Sequence, residues 1–75
     1  MNDTVTYTFT VTGMHCSSCG LLIDEALEET AGVHRAQTSV RAGRTVVDAD
    51  PAVAYVETLA AVITAAGYQA RLDPQ

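Results

Sequence analysis

The stretch Gly13-Met14-His15-Cys16-Ser17-Ser18-Cys19-Gly20 holds both cysteines of the 75-residue chain, with His15 touching the first. Two thiols at this spacing suit three kinds of chemistry. They can exchange disulfides, for which a C-x-x-C at a helix start has the right local geometry. They can supply half of a structural zinc site, which wants four ligands. They can also form a complete two-coordinate site for a soft metal such as Cu(I). Zinc would need His15 and a ligand from outside the chain. His34 falls beyond the far end of the first helix, roughly 20 Å from Cys16 at about 1.5 Å per residue. For disulfide exchange the chain is short, and neither Pro51 nor Pro74 is placed opposite the thiols. An exposed two-sulfur site leaves its metal open to incoming thiolates, which suits passing metal on rather than storing it.

The elements that must position these thiols can be read from periodicity. Residues 4–12, TVTYTFTVT, alternate Val5, Tyr7, Phe9 and Val11 with threonines, the period of a half-buried strand that Gly13 ends. From Ser17 the period changes. Ile23, Ala26, Leu27 and Thr30 form one helical stripe, and Gly32 terminates it. Val33 to Val40 reads as a second strand, Ala42-Gly43 as a hairpin turn, and Thr45, Val47 and Ala49 as a third strand. Asp50-Pro51 reads as a cap and first helical residue, opening a second helix marked by Val53, Val56, Leu59, Ala60 and Ile63. Gly67 ends it, and Tyr68 to Leu72 forms the last strand. Tyr7, Phe9 and Tyr55 read as core or sheet residues. The order β-α-β-β-α-β implies an α+β, ferredoxin-like open-faced sandwich, with two helices on one face of a four-stranded antiparallel sheet. Residues 1–75 read as one domain. Cys16 then lies in the first strand-to-helix loop and Cys19 in the first helical turn. There the helix N-terminus favours thiolate. Met14 packs into the core beneath the loop.

Composition narrows the function. The net charge is −5, lysine is absent, and the basic residues are Arg35, Arg41, Arg44 and Arg71. Nucleic acid and anionic membrane surfaces both need more cationic charge than this. No apolar run approaches membrane-spanning length. The opening Asn2, Asp3 and Thr4 show neither a basic nor an apolar leader region, and the expectation is a cytoplasmic protein with reduced cysteines.

GMHCSSC, Gly32-Val33, Asp50-Pro51 and Ala66-Gly67-Tyr68 together make the chain resemble the heavy-metal-associated domain family over about residues 4–73. That family includes small copper chaperones and the N-terminal domains of P-type metal-transporting ATPases. The resemblance implies Cu(I) held by Cys16 and Cys19 and passed between like domains through shared three-sulfur intermediates. It implies a copper-transporting P-type ATPase as partner, with a copper-sensing repressor as a second recipient. Tyr68 matches a position beside the metal site where bacterial copper chaperones often carry tyrosine. A solvent-facing pair of thiolates also allows two monomers, separate when metal-free, to be bridged by copper into a homodimer.

The sequence departs from its relatives at His15, where they often carry threonine or another small polar residue. His15 is read first as an exposed loop histidine without a ligand role, with modest tuning of the thiols as the next reading and a weak extra ligand, above all in a metal-bridged dimer, as the last. Tyr68 is weighed equally as a core-edge aromatic and as a lid on the metal. Leu21 and Leu22 stand where many relatives carry basic or polar residues. Leu21 is roughly opposite Ile23 on the helix, so it faces water. With Gly20 it would form an apolar docking patch rimmed by Asp24, Glu25 and Glu28. The expected function is a Cu(I) metallochaperone and not an enzyme, because no acid, base and nucleophile converge beside the cysteines. The alternatives are a metal-binding domain of an ATPase, a zinc, cadmium or mercury binder, and a thiol oxidoreductase.

Overall fold

The computed structural model describes residues 4–73, Ser17 by its backbone alone. Pro74, and the Asn2 and Asp3 on which the reading of the opening rests, lie outside the described residues. The elements are β1 (Val5–Thr12), α1 (Ser17–Glu28), β2 (Val33–Ser39), β3 (Arg44–Ala49), α2 (Val56–Ala65) and β4 (Gln69–Leu72). The four strands form one antiparallel sheet in the order β2-β3-β1-β4. This is the expected ferredoxin-like arrangement, with β1 and β3 central.

Alternation along the strands sends one set of side chains toward the helices. Phe9 and Val11 from β1, Ala36 from β2, and Val47 and Ala49 from β3 share one core with Ile23 and Leu27 of α1 and Leu59 and Ile63 of α2. Each helix therefore inserts an i, i+4 pair against the same sheet face. Burial of each such large side chain contributes roughly 1.5–3 kcal/mol. The opposite face carries no helix, and its threonines and arginines meet solvent. Among the described residues no helix is long and apolar enough to cross a membrane.

The second helix starts later than the sequence implied. Asp50 does not cap a helix beginning at Pro51. Its carbonyl accepts the N–H groups of Val53 and Ala54, and its side chain accepts that of Ala52. Residues 50–54 thus close a turn that buries Ala54 completely, and α2 begins only at Val56. Tyr55, the extended residue before α2, is 57% exposed and belongs to neither core nor sheet. Gly32 sits against this turn with φ +89°. A β-carbon there would fall 2.8 Å from Val53 Cβ and 2.9 Å from the Ala54 nitrogen. Gly32 is therefore needed for close packing rather than for ending α1, which stops at Glu28 with Glu29 as its C-cap. Elsewhere the differences are of one or two residues. α1 ends at Glu28, β2 ends at Ser39 rather than Val40, and β4 begins at Gln69 rather than Tyr68.

Candidate metal centre

Two elements deliver the thiols to one point. β1 ends at Thr12, and Gly13, at φ +98°, turns the chain off the sheet. Met14 is half-buried and packs on the core, as expected, which anchors the loop from below. Cys16 is the extended residue before α1 (φ −140°, ψ 157°), and Cys19 lies in the first turn, its N–H bonded to the Cys16 carbonyl at 3.1 Å. The sulfurs stand 2.6 Å apart, and both cysteines are free. They differ in access: Cys16 is exposed, whereas Cys19 is only 7% exposed. The helix end carries no acidic residue in its first turn and no side-chain cap, so nothing there offsets its partial positive charge.

The surroundings shift Cys19 toward the thiolate form. Its pKa is lowered from 9.0 to about 7. The largest cause is the Cys16 thiol beside it, followed by the Tyr68 hydroxyl and the backbone N–H of His15, with burial opposing. The same contact raises Tyr68, whose phenol is held protonated by the sulfur it faces. Tyr68 is half-buried, packs on the core, and lays its ring against Gly13, 3.7 Å from where a β-carbon would stand. It is at once a core-edge aromatic and a neighbour of Cys19.

The other residues singled out in the sequence separate. His15 is exposed, and among the described residues no group of three or more His, Cys, Asp or Glu side chains is arranged to hold a metal ion. His34 lies near the opposite end of the sheet. Its neighbours Val33 and Arg35 align with Ala49 and Asp48, which pair with the start of β1 rather than the end that feeds the loop. Leu21 and Leu22 are exposed, at 64% and 55%. Gly20, expected in the same patch, is instead buried against β2. A β-carbon there would meet Val40 Cγ2 at 3.1 Å and Thr38 Cγ2 at 3.3 Å. Nor is Asp24 a solvated rim residue, since the Thr38 hydroxyl donates to it at 2.7 Å.

That contact belongs to a polar chain which the sequence reading did not anticipate. Thr38 gives its one hydroxyl proton to Asp24, so the fully buried Thr45 donates to Thr38, 2.8 Å away. Gly20 and Asp24, four residues apart on α1, both rest on Thr38. The first two turns of the helix that carries Cys19 are thereby fixed against the sheet. The signal was present: the Ile23–Leu27 stripe, extended one turn back, reaches Gly20.

Such an arrangement can bind a soft cation through two sulfurs from one side while the exposed Cys16 remains open to an incoming ligand. The sequence profile of the family described as "Heavy-metal-associated domain" matches residues 8–69. The chain belongs to this family. Relatives include the cation-transporting ATPase HMA5 of Oryza sativa subsp. japonica, 38% identical over 85% of this chain and 6% of the ATPase. The mercuric transport protein periplasmic component of Pseudomonas aeruginosa is 34% identical over 87% of this chain and 71% of its own length. The chain therefore spans a small fraction of the ATPase and most of the mercuric protein. Among solved structures, a copper binding domain from HMA7, a P-type ATPase, superposes with TM-score 0.89 at 29% identity, covering 92% of this chain and 93% of that one. The copper chaperone of Enterococcus hirae, in its apo form, gives TM-score 0.84 at 30% identity over 89% and 98%.

Proposed function

We propose that this chain is a cytoplasmic Cu(I) carrier. Cys16 and Cys19 would hold the ion and pass it by thiolate exchange to a copper-transporting P-type ATPase. Residues 1–75 would act as a single metal-binding unit without catalysing a reaction. The observation that carries this reading is the convergence of one exposed and one buried thiol, with no third His, Cys, Asp or Glu side chain grouped beside them among the described residues. Two thiolates are a poor set for zinc, which wants four ligands, and a fitting one for soft Cu(I). The lowered Cys19 pKa of about 7 reduces the proton competition that an unperturbed thiol would set against metal binding near neutral pH. Exposure of Cys16 gives an incoming thiolate its point of attack. Leu21 and Leu22 beside it, with Glu25 nearby, favour a partner that presents an apolar spot within a basic surface. The copper-binding neighbours support copper as the cargo.

A second reading is favoured by the mercuric relative, because Hg(II) is also soft and satisfied by two sulfurs. An anaerobic titration of the reduced protein against a chromophoric Cu(I) chelator, repeated with Zn(II) and Hg(II), separates the two. Tight binding of about one Cu(I) per chain, with zinc far weaker, is the expected result. Failure to compete for Cu(I) while retaining Hg(II) would overturn the copper reading in favour of mercury.

A further inference from the structure

Charge in this chain is sorted by layer. Among the described residues every arginine belongs to the sheet layer: Arg35 on β2, Arg44 on β3, Arg71 on β4, and Arg41 in the hairpin between β2 and β3. The helices carry Asp24, Glu25, Glu28 and Glu57, with Glu29 closing α1, and no base. Register fixes which way the strand arginines point. Thr45 and Val47 are buried toward the helices, so Arg44, the first residue of β3, faces the other side. Thr10, between buried Phe9 and Val11, faces that side too. Ser39, Arg44, Thr10 and Arg71 are Cα partners in one row across all four strands. With strands about 4.8 Å apart, the two arginines flank Thr10 at about 10 Å from each other.

This face is rich in donors. One depression of about 260 Å³ is lined by Thr12, Gln69 and Arg71 among others, and a second of about 380 Å³ by Gln37, Ser39 and Arg44. No carboxylate lines either. The nearby Asp73 takes the Thr10 hydroxyl proton and lies 3.8 Å from Arg44 Nε, a long, exposed pair that an incoming carboxylate must compete with at Arg44 but not at Arg71. The helix acids stand across the sandwich, whose smallest dimension is 17 Å. Screening at physiological salt acts over about 8 Å, so the sheet face presents its own positive field despite the net charge of −5.

We infer that the open sheet face is a docking surface for an extended acidic segment of a partner protein, laid across the Arg44–Thr10–Arg71 row. Guanidinium groups pair with carboxylates through two parallel hydrogen bonds. An extended segment places alternate side chains on one side about 7 Å apart, within side-chain reach of arginines about 10 Å apart. Four arginines set against Asp48 and Asp73 leave too little charge for a phosphate backbone, whose binding rests on neutralising many phosphates. The surface is separate from the thiol loop and does not depend on what metal the loop carries.

The test is a titration of the isotope-labelled 75-residue chain with octaglutamate at 0.15 M salt, followed by amide chemical shifts. Saturable shifts are expected along β1, β3 and β4, with α1 and the thiol loop unmoved. Arg44→Gln combined with Arg71→Gln should weaken binding at least tenfold. Glu25→Gln with Glu28→Gln should change it less than twofold. Cu(I) affinity should be the same in both. Arg71→Gln alone, at an exposed site, keeps the test decisive if the double variant melts. Absence of saturation, shifts confined to α1, or full binding by the arginine variants would overturn the proposal. So would binding to phosphatidylserine vesicles without binding to octaglutamate, which would make the face a lipid contact.

Discussion

The chain passes twice from a central strand into a helix, and the two junctions solve the same problem in opposite ways. Between β3 and α2, Asp50 accepts three backbone N–H groups, Ala54 is sealed in, and Gly32 closes over the turn. Between β1 and α1, Gly13 lifts the chain away from the sheet, and two thiols occupy the helix start. Both helices begin at an extended residue with no side-chain cap, Cys16 in one case and Tyr55 in the other. The first junction directs its polar groups at a site, and the second directs them at itself. Damage to the first should therefore appear in metal binding, and damage to the second in stability.

The largest effect separates them most sharply. Cys16→Ser or Cys19→Ser should lower Cu(I) affinity roughly a thousandfold, about 4 kcal/mol, because a hard hydroxyl replaces a soft thiolate. Chelator competition measures this, and circular dichroism should show the fold unchanged. Unfolding in the Cys16→Ser chain would mean that the loop is structural after all.

Gly32→Ala is the counterpart. It combines a positive φ with a contact of 2.8 Å to Val53 Cβ, and backbone at 2.9 Å cannot move aside cheaply. A loss of about 2–4 kcal/mol is expected from strain and overpacking together, read by denaturant unfolding. Gly13→Ala shares the positive φ but meets only Tyr68 Cδ1 at 3.7 Å, an ordinary contact. It should lose only about 1–2 kcal/mol. Equal losses at the two glycines would show that backbone conformation, not packing, distinguishes the junctions.

A smaller effect lies in the proton chemistry of the site. Cys19 titrates at about 7 rather than 9.0. A folded pKa below the unfolded one stabilises the reduced, metal-free protein fully above about pH 9, and that stability is lost as pH falls through about 7. Tyr68→Phe removes one of the donors to the thiolate, although the larger influence of Cys16 remains. The Cys19 pKa should rise, the pH window should narrow from its lower end, and Cu(I) affinity at pH 7 should fall about fivefold through proton competition. Thiolate absorbance against pH measures the first of these. An unshifted titration would reduce Tyr68 to a packing residue.

How much of this was legible beforehand follows the range of the interactions. β1 was readable because alternation of apolar residues with threonine is a local pattern with one interpretation. The thiol pair was readable because both sulfurs sit within four residues. The start of α2 was misread because Asp50-Pro51 has the local chemistry of a cap, while the deciding demand was to bury Ala54 beneath Gly32, twenty-two residues away. Gly20 was misplaced because a missing side chain leaves no mark in a hydrophobic stripe, although its spacing from Ile23 and Leu27 put it there. The contact between Tyr68 and Cys19 spans 49 residues. Residue pattern alone does not encode it, and only family resemblance pointed to that neighbourhood.

The smallest expected effect probes what the two uncapped helix starts have in common. A serine or aspartate at such a position accepts an N–H from the first turn and typically contributes about 1 kcal/mol. Tyr55 is mostly exposed, so Tyr55→Asp gives up little packing and adds charge where the helix end favours it. Stability should rise by about 0.5–1 kcal/mol with Cu(I) affinity untouched. Cys16→Ser installs the same kind of cap on α1, and the metal-free protein should gain a similar amount while losing its metal. A gain at both sites would mean that α1 forgoes a cap in order to place a thiol there, so the missing stability is a direct consequence of the site. A gain at Tyr55 with none at Cys16 would mean instead that the loop geometry points the residue 16 side chain away from the helix end. The thiol would then occupy a position that no cap could have used.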